Sequence, residues 1–471
     1  MFKINTNFIP SAPNAFIVGG TVRDILIGVR PKDYDIVTLD DPKKLAYQIA
    51  AKTGKKVVEL GKPGLKIFRI VTPRQAPDRP HDPTYDIAPA NGATIEEDLA
   101  KRDFTINAMA IPLDDTQNRA SIIDPFNGRK DLKNRMIRAT FPDNLKADPI
   151  RLLRAYRIGA LLNFSITPET AQAIKKNGHM VAQSAGERIK DELIKLFNTP
   201  DSRHYLLMMN ETGLLTAIFP ELTPLKDCSQ NIYHQYDAFE HTLKAYGFLE
   251  KFLHTPDSAA PEITHLRNFL PVSQNFALLK YAILIHDIGK PAARSIDTKG
   301  RIHFYRHEKI SADMALKINR RLRFSNQEQQ FADFIIRHHL RPLSLFNAFK
   351  QHRLSQKSVS RFFLKCDPMT KEILIHSAAD LYGKGINKNT QEFIEFLNYM
   401  IKQFTDFFVP LKSSPPLIDG NDLIREFDLK PSPLFSKILA HIKEEQFAEN
   451  ITTREEALAS VKKFLNLHNP S

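Results

Sequence analysis

The chain has 471 residues, 42% hydrophobic and 25% charged, an ordinary globular composition with room for roughly two to four domains. Lys and Arg number 66 against 53 Asp and Glu, a formal net charge of +13 that suits a polyanionic partner. Two cysteines, Cys228 and Cys366, exclude a disulfide framework and a cysteine zinc site and fit a reducing cytoplasm, while Met1–Pro10 lacks a secretory leader pattern and no apolar run approaches the ~20 residues of a membrane span.

Ala15–Val18 is an apolar run that stops at Gly19-Gly20, and Thr21–Ile27 then reads as a short helix closed by Gly28. Glycines let a backbone approach phosphate oxygens, and a helix N-terminus offers them free N–H groups. Arg23, in the first turn, can reach the same anion. Asp33 and Asp35 fall on a strand running to Thr38, where period two puts both on one face. Two carboxylates side by side repel unless a cation lies between them, and Mg²⁺ is the usual one beside phosphates. Asp-x-Asp alone would equally be a solvated turn. Behind Gly-Gly-x-x-Arg-Asp it reads as a site for a nucleoside triphosphate and its metal.

Further along, Pro42–Ala51 reads as a helix closed by Gly54, and Val57–Leu60, Leu65–Val71, Tyr85–Ala88 and Ala108–Leu113 read as strands. The Pro-rich, charged stretch Thr72–Thr84 reads as a mobile loop near the active face. Asp86 sits on a strand that could lie beside Asp33, where a third carboxylate would help hold the metal or activate an attacking hydroxyl; the alternative is a solvent-facing aspartate. Arg102 is a candidate triphosphate or ribose clamp, since guanidinium binds phosphate through several donors. Asp103 and Asn107 are as readily structural, and Asp124–Leu132 reads as an Asx-started turn.

From about residue 145 the pattern is helical, broken at Asn177-Gly178, Thr199-Pro200, Leu222–Gln230 and the Lys412–Leu417 linker. Asp148 is a plausible N-cap and Pro149 suits the first helical position. Asp148, Arg151, Arg154 and Arg157, three apart, form one spiralling ridge. It could be a cap followed by a solvated basic stripe. The sharper reading is a base reader, because cytosine and adenine both show an exocyclic amine beside a ring-nitrogen acceptor. A carboxylate accepts from the amine and an arginine donates to the ring nitrogen. Uracil and guanine would leave such groups unpaired. Arg154 and Arg157 would serve phosphate or the base face, and Glu187, Arg188 and Glu192 read as an ion-pair brace for this helix. In the second half His241, His286, Asp287, His307, His338-His339 and Asp380 lie on successive helical segments. Imidazole with carboxylate suits Ni²⁺, Zn²⁺, Mn²⁺ or Fe²⁺, and such an ion would support phosphoester hydrolysis.

Together these residues resemble the tRNA nucleotidyltransferase/poly(A) polymerase family, in the bacterial class of the polymerase β-like superfamily, over nearly the whole chain. The resemblance implies an α+β fold: a nucleotidyltransferase head with a mixed sheet (1–145), a helical neck (146–215), an HD-type helical domain (216–400) and a helical tail (401–471). It implies nucleotide contacts by Gly19, Gly20, Arg23, Arg102, Asp148, Arg151, Arg154 and Arg157. Mg²⁺ would be held by Asp33 and Asp35 with Asp86 assisting, and an HD metal site would draw on His241, His286, Asp287 and Asp380, with His307 and His338. The tail motifs Asp419–Leu423 and Ile451–Ala457 also match. The implied activity is addition of C and A from CTP and ATP to the tRNA 3′ end in the cytoplasm. CC-only addition, A-only addition, poly(A) synthesis and an HD phosphohydrolase are alternatives. The sequence departs from the family at Lys101, at Ala147, at Asn127 (where a Gly-Gly pair is usual) and most in Thr72–Thr84, a region that bears on which nucleotides are added.

Overall fold

Ala15–Val18 forms β1, an inner strand of a six-stranded mixed sheet in the computed structural model, which describes residues 12–31, 33–61, 66–71, 83–115, 121–229, 236–255, 262–263, 269–270, 275–385 and 390–468. The remaining strands are β2 (Asp33–Thr38), β3 (Lys56–Leu60), β4 (Ile67–Val71), β5 (Thr84–Pro89) and β6 (Ala110–Pro112), in the order β3-β4-β5-β2-β1-β6. Only β2 and β5 run parallel. The expected strands and the helix closed by Gly54 are present with ends shifted by up to two residues; that helix is Pro42–Thr53. The Thr72–Thr84 loop lies outside the described residues except for its last two positions, as does Met1–Pro10.

Period-two alternation divides β1 between two cores. Ala15 and Ile17 pack with Ile36, Ile70, Tyr85 and Ile87 under Leu45, Ala46 and Ile49 of the Pro42–Thr53 helix. Phe16 and Val18 pack on the other face with Val37, Ile95, Leu99 and Ala110. Burying each such large side chain contributes about 1.5–3 kcal/mol, so β1 is anchored from both faces. The same alternation puts Asp33 and Asp35 on the Val37 face, with Asp86 opposite Asp35 in register.

The chain forms two units, residues 1–199 with 204–218 and residues 200–203 with 219–471. In the first, the Ile150–Leu162 helix packs on the Gly186–Phe197 helix. Asp148 does not cap it through its side chain: Asp148 ends the preceding Pro142–Ala147 helix, and Pro149 holds the cap position. In the second unit, helices Ala238–His254, Phe276–Ile285, His307–Arg321, Asn326–His338 and Thr370–Gly383 pack around the HD residues. Three short strands occur beyond residue 145, where the pattern is helical: β8 (Ser165–Ile166), which runs parallel to β7 (Met136–Ile137), and a hairpin of β9 (Arg294–Ile296) and β10 (Ile302–Phe304). Strands of two or three residues are too short to show alternation in a sequence.

The tail is a helical trio, Gly420–Phe427, Pro433–Phe447 and Arg454–His468, around Leu423, Ile438, Ile442, Ala457 and Val461. Its two sequence motifs meet: Asp419 caps the first helix, and Arg454 reaches Asp422 and Glu426 at 2.9 Å each. No described helix is long and apolar enough to cross a membrane.

Candidate active site

Gly19 stands at φ 71°, ψ −140°, a conformation that only glycine adopts readily. A Cβ there would lie 3.0 Å from Arg102 Nη1 and 3.5 Å from Asp35 Oδ2, so Gly19, Arg102 and Asp35 converge on one point. Thr21 fixes the carboxylate strand to the Gly20–Leu26 helix: its hydroxyl donates to Asp33 O (3.2 Å) and accepts from Asp35 N–H (3.1 Å). Asp33 and Asp35 both keep contact with solvent, although protein packs closely around the Asp35 carboxyl. The Asp35 carboxyl is held above its ordinary range, first by withdrawal from water, with Asp86 and Asp33 adding repulsion against the pull of Arg102 and Arg154. Like charges so placed favour a divalent cation, and an all-carboxylate donor set suits a hard one. Asp86 faces Asp35 as expected, but both its oxygens accept from Arg69 at 2.7 Å. The β4–β5 register sets Arg69 opposite Asp86, a pairing the sequence did not reveal. Arg23 is buried beneath Gly20, donating to Asn107 (2.9 Å) and Asp24 (2.7 Å).

Asp103 and Asn107 serve the local fold, and so does Asp124, which accepts from Gly128 and Arg129 N–H. Asn127 takes the left-handed conformation (φ 60°), which Asn tolerates, so losing one glycine there costs little. Gly128 has no such latitude: a Cβ would meet Thr105 O at 2.3 Å.

Asp148 receives Arg188 bidentately at 2.8 and 2.9 Å, and Arg151 donates to the carbonyls of Lys101 (2.9 Å) and Asn144 (3.2 Å). Arg154 and Arg157, expected at phosphate or the base face, are engaged by buried carboxylates instead. Arg154 grips Asp103 (2.7 and 2.9 Å) and Arg157 grips Glu192 (2.7 Å). The brace therefore runs through Arg188 and Glu192, while Glu187 is exposed.

In the second unit, His286, His307 and His339 each pair Nδ1 with the backbone carbonyl three residues earlier, at 2.7–2.9 Å. That contact fixes the Nδ1–H tautomer and leaves Nε2 as the ligand atom. His286 Nε2 lies 3.2 Å from Asp287 Oδ2, His307 Nε2 lies 3.2 Å from Asp287 Oδ1, and His241 Nε2 lies 3.0 Å from Asp380 Oδ1. Two donor groups share Asp287: His241 with His286, and His307 with His339. This set fits a divalent metal, and ammonium groups already stand on its carboxylates, Lys290 on Asp287 (2.7 Å) and Lys384 on Asp380. His338 is outside the cluster; its Nδ1 accepts from Arg341 and its ring abuts Phe334. His339 takes the place expected of His338, because successive helical residues point about 100° apart. The sequence reading also missed His376, fully buried with its ring 5.0 Å from that of His286. Its signal was spacing: four residues before Asp380, it shares that helix face.

Comparisons with known proteins agree in order along the chain. Residues 15–138 match the family model described as the poly(A) polymerase head domain, 163–226 an RNA- and SrmB-binding site of polymerase A, 238–383 the HD domain, and 397–461 a tRNA nucleotidyltransferase domain 2. An A-adding tRNA nucleotidyltransferase of Deinococcus radiodurans is 29% identical over 98% of both chains. A CC-adding tRNA nucleotidyltransferase of Thermus thermophilus is 29% identical over 95% of this chain and 92% of its own. The fold is that of the Thermotoga maritima CCA-adding enzyme solved with tRNA (TM-score 0.61, 20% identity, 96% of this chain and 91% of that one). With the head residues, the HD cluster and the tail all accounted for, the chain belongs to the tRNA nucleotidyltransferase/poly(A) polymerase family and carries an HD domain.

Proposed function

We propose that this protein adds C and A nucleotides from CTP and ATP, without a template, to the 3′ end of tRNA in the cytoplasm. The RNA 3′-hydroxyl gives up its proton to solvent, its oxygen bonds to the α-phosphorus, and the bond to the leaving pyrophosphate breaks. The observation that carries the reading is the convergence of Gly19, Arg102 and the Asp33/Asp35 strand beside a helix whose Arg154 charge is felt at Asp35. Asp33 and Asp35 would hold Mg²⁺, which when bound neutralises triphosphate charge and polarises the reacting phosphoryl group. The Gly19-Gly20 backbone and Arg102 bind the triphosphate, and Arg23 supports that turn from below. Asp148 accepts from the base amine and Arg151 donates to the ring nitrogen, selecting C and A over U and G. The basic helical body takes the tRNA backbone.

The carrying test is incorporation of CTP and ATP into tRNA transcripts lacking three, two or one terminal nucleotide, with Asp33→Ala as control. Folded wild-type protein that incorporates nothing in Mg²⁺ would sink the reading. Because the relatives at 29% identity include both CC-adding and A-adding enzymes, the length of the product on each transcript decides between full and partial addition. The inward Nε2 atoms of the HD cluster favour a second, phosphohydrolase activity with Ni²⁺, Zn²⁺, Mn²⁺ or Fe²⁺. Phosphodiesterase turnover unchanged in His286→Ala would remove it.

A further inference from the structure

The segment between Asp287 and His307 differs in character from the helices around it. Residues 290–306 carry Lys290, Arg294, Lys299, Arg301 and Arg306 against a single acid, Asp297, and fold back as the β9–β10 hairpin. Asp297 is consumed within the turn: it accepts from the N–H groups of Lys299 and Arg301 at 2.9 Å, from Arg301 Nε at 3.0 Å, and meets His303 Nε2 at 3.0 Å. Phe304 faces inward, its carbonyl on His307 Nδ1 (2.9 Å) and its ring 5.6 Å from Lys290 Nζ. His303, within the strand, and Tyr305, just past its end, flank it. Their rings stack at 5.0 Å with 9° between planes, and Tyr305 is 70% exposed. Arg294, Lys299, Arg301 and Arg306 around them are exposed as well.

An exposed phenol ring laid on a partly buried imidazole and ringed by cations contributes little to the core. It does offer a π-face beside several phosphate-binding groups, which is the equipment of single-strand recognition. Bases stack on such a ring whatever their identity, and neighbouring phosphates release counterions to Arg and Lys. An acidic peptide would use the cations but not the ring plane. Duplex RNA would use the cations but hides its base faces.

We propose that the β9–β10 hairpin binds single-stranded RNA, with a base on Tyr305 above His303 and the adjoining phosphates on Arg301 and Arg306. The proposal depends neither on the head's nucleotide site nor on the HD cluster being hydrolytic. The chain contains no tryptophan, so Tyr305→Trp in the full-length protein gives one indole at the proposed platform. Titration with a single-stranded pentacytidylate or pentaadenylate should quench its emission saturably. Combining Arg301→Ala and Arg306→Ala should raise Kd at least tenfold, and added salt should weaken binding. A short RNA duplex and oligoglutamate should quench little. The proposal is overturned if the indole, exposed to acrylamide in a folded protein, is not quenched by the single strands. It is equally overturned if quenching ignores the arginines and salt, or if duplex or oligoglutamate quenches as well as single-stranded RNA.

Discussion

Asp103 joins the head to the Ile150–Leu162 helix, and its removal should cost stability of a definite size. Its Oδ2 accepts Arg154 Nε and Nη2 at 2.9 and 2.7 Å, while Oδ1 accepts Phe104 N–H at 2.8 Å and Asn107 Nδ2 at 3.1 Å. Burial pushes the Asp103 carboxyl up, but the Arg154 charge and these donors together hold it below its ordinary range. In Asp103→Ala, Arg154 keeps only a 3.4 Å contact to Glu192. Breaking one side of a buried ion pair costs about 3–5 kcal/mol, and the surviving Glu192 contact favours the lower end, about 3 kcal/mol. A double-mutant cycle with Arg154→Met, read by urea unfolding and circular dichroism, should return a coupling of about 2 kcal/mol. The pH dependence has a definite sign. A folded-state pKa below the unfolded value of about 3.9 gives stability that is present above that pH and lost as pH falls through the folded value. Asp103→Ala should therefore flatten the acid limb of the stability curve. A coupling under about 0.5 kcal/mol, or an acid limb identical to wild type, would refute the assignment.

Gly19→Ala should leave the fold in place but cut CTP incorporation by two orders of magnitude or more, since a Cβ is strained at φ 71° and displaces Arg102 Nη1. Asp148→Ala should lower the CTP-over-UTP ratio of kcat/KM at least about a hundredfold. Arg188→Ala should cost no more than about 1 kcal/mol in thermal denaturation, because that ion pair is half open to solvent, yet alter the same ratio. Metal content of protein reconstituted with Ni²⁺ or Zn²⁺ should fall in His339→Ala and hold in His338→Ala; equal retention in both would contradict the cluster geometry.

The carboxylate strand was legible because its reasons are local. Gly19-Gly20 after four apolar residues, and Asp33 and Asp35 two apart, need only strand periodicity to reach one face. Arg69 was not legible, because its partnership with Asp86 is created by the β4–β5 register, which no local pattern announces. His376 could have been found from its spacing to Asp380, whereas choosing His339 over His338 required knowing how the Asn326–His338 helix is rotated toward its neighbours. The hairpin at Arg294–Phe304 escaped because three-residue strands carry almost no periodic signal.

The arginine ridge shows why a correct spacing can still misassign a role. At 3.6 residues per turn, each three-residue step falls about 60° short of a full turn. Arg157 is therefore rotated about 120° from Arg151, and a row that looks continuous in sequence presents two faces in space. Arg151 stays near the head, on the carbonyls of Lys101 and Asn144, next to Arg102. Arg157 has turned into the Gly186–Phe197 helix, where Glu192 waits, and Arg154 lies between, shared by Asp103 and Glu192. The first two members of the ridge are held by more open contacts, Asp148 by Arg188 and Arg151 by the Lys101 and Asn144 carbonyls, and the proposed base contacts require both to be exchanged. The last two hold the helix that carries them. Discrimination between nucleotides should accordingly be lost through Asp148 and Arg151 with the fold intact, and through Arg154 and Arg157 only together with stability.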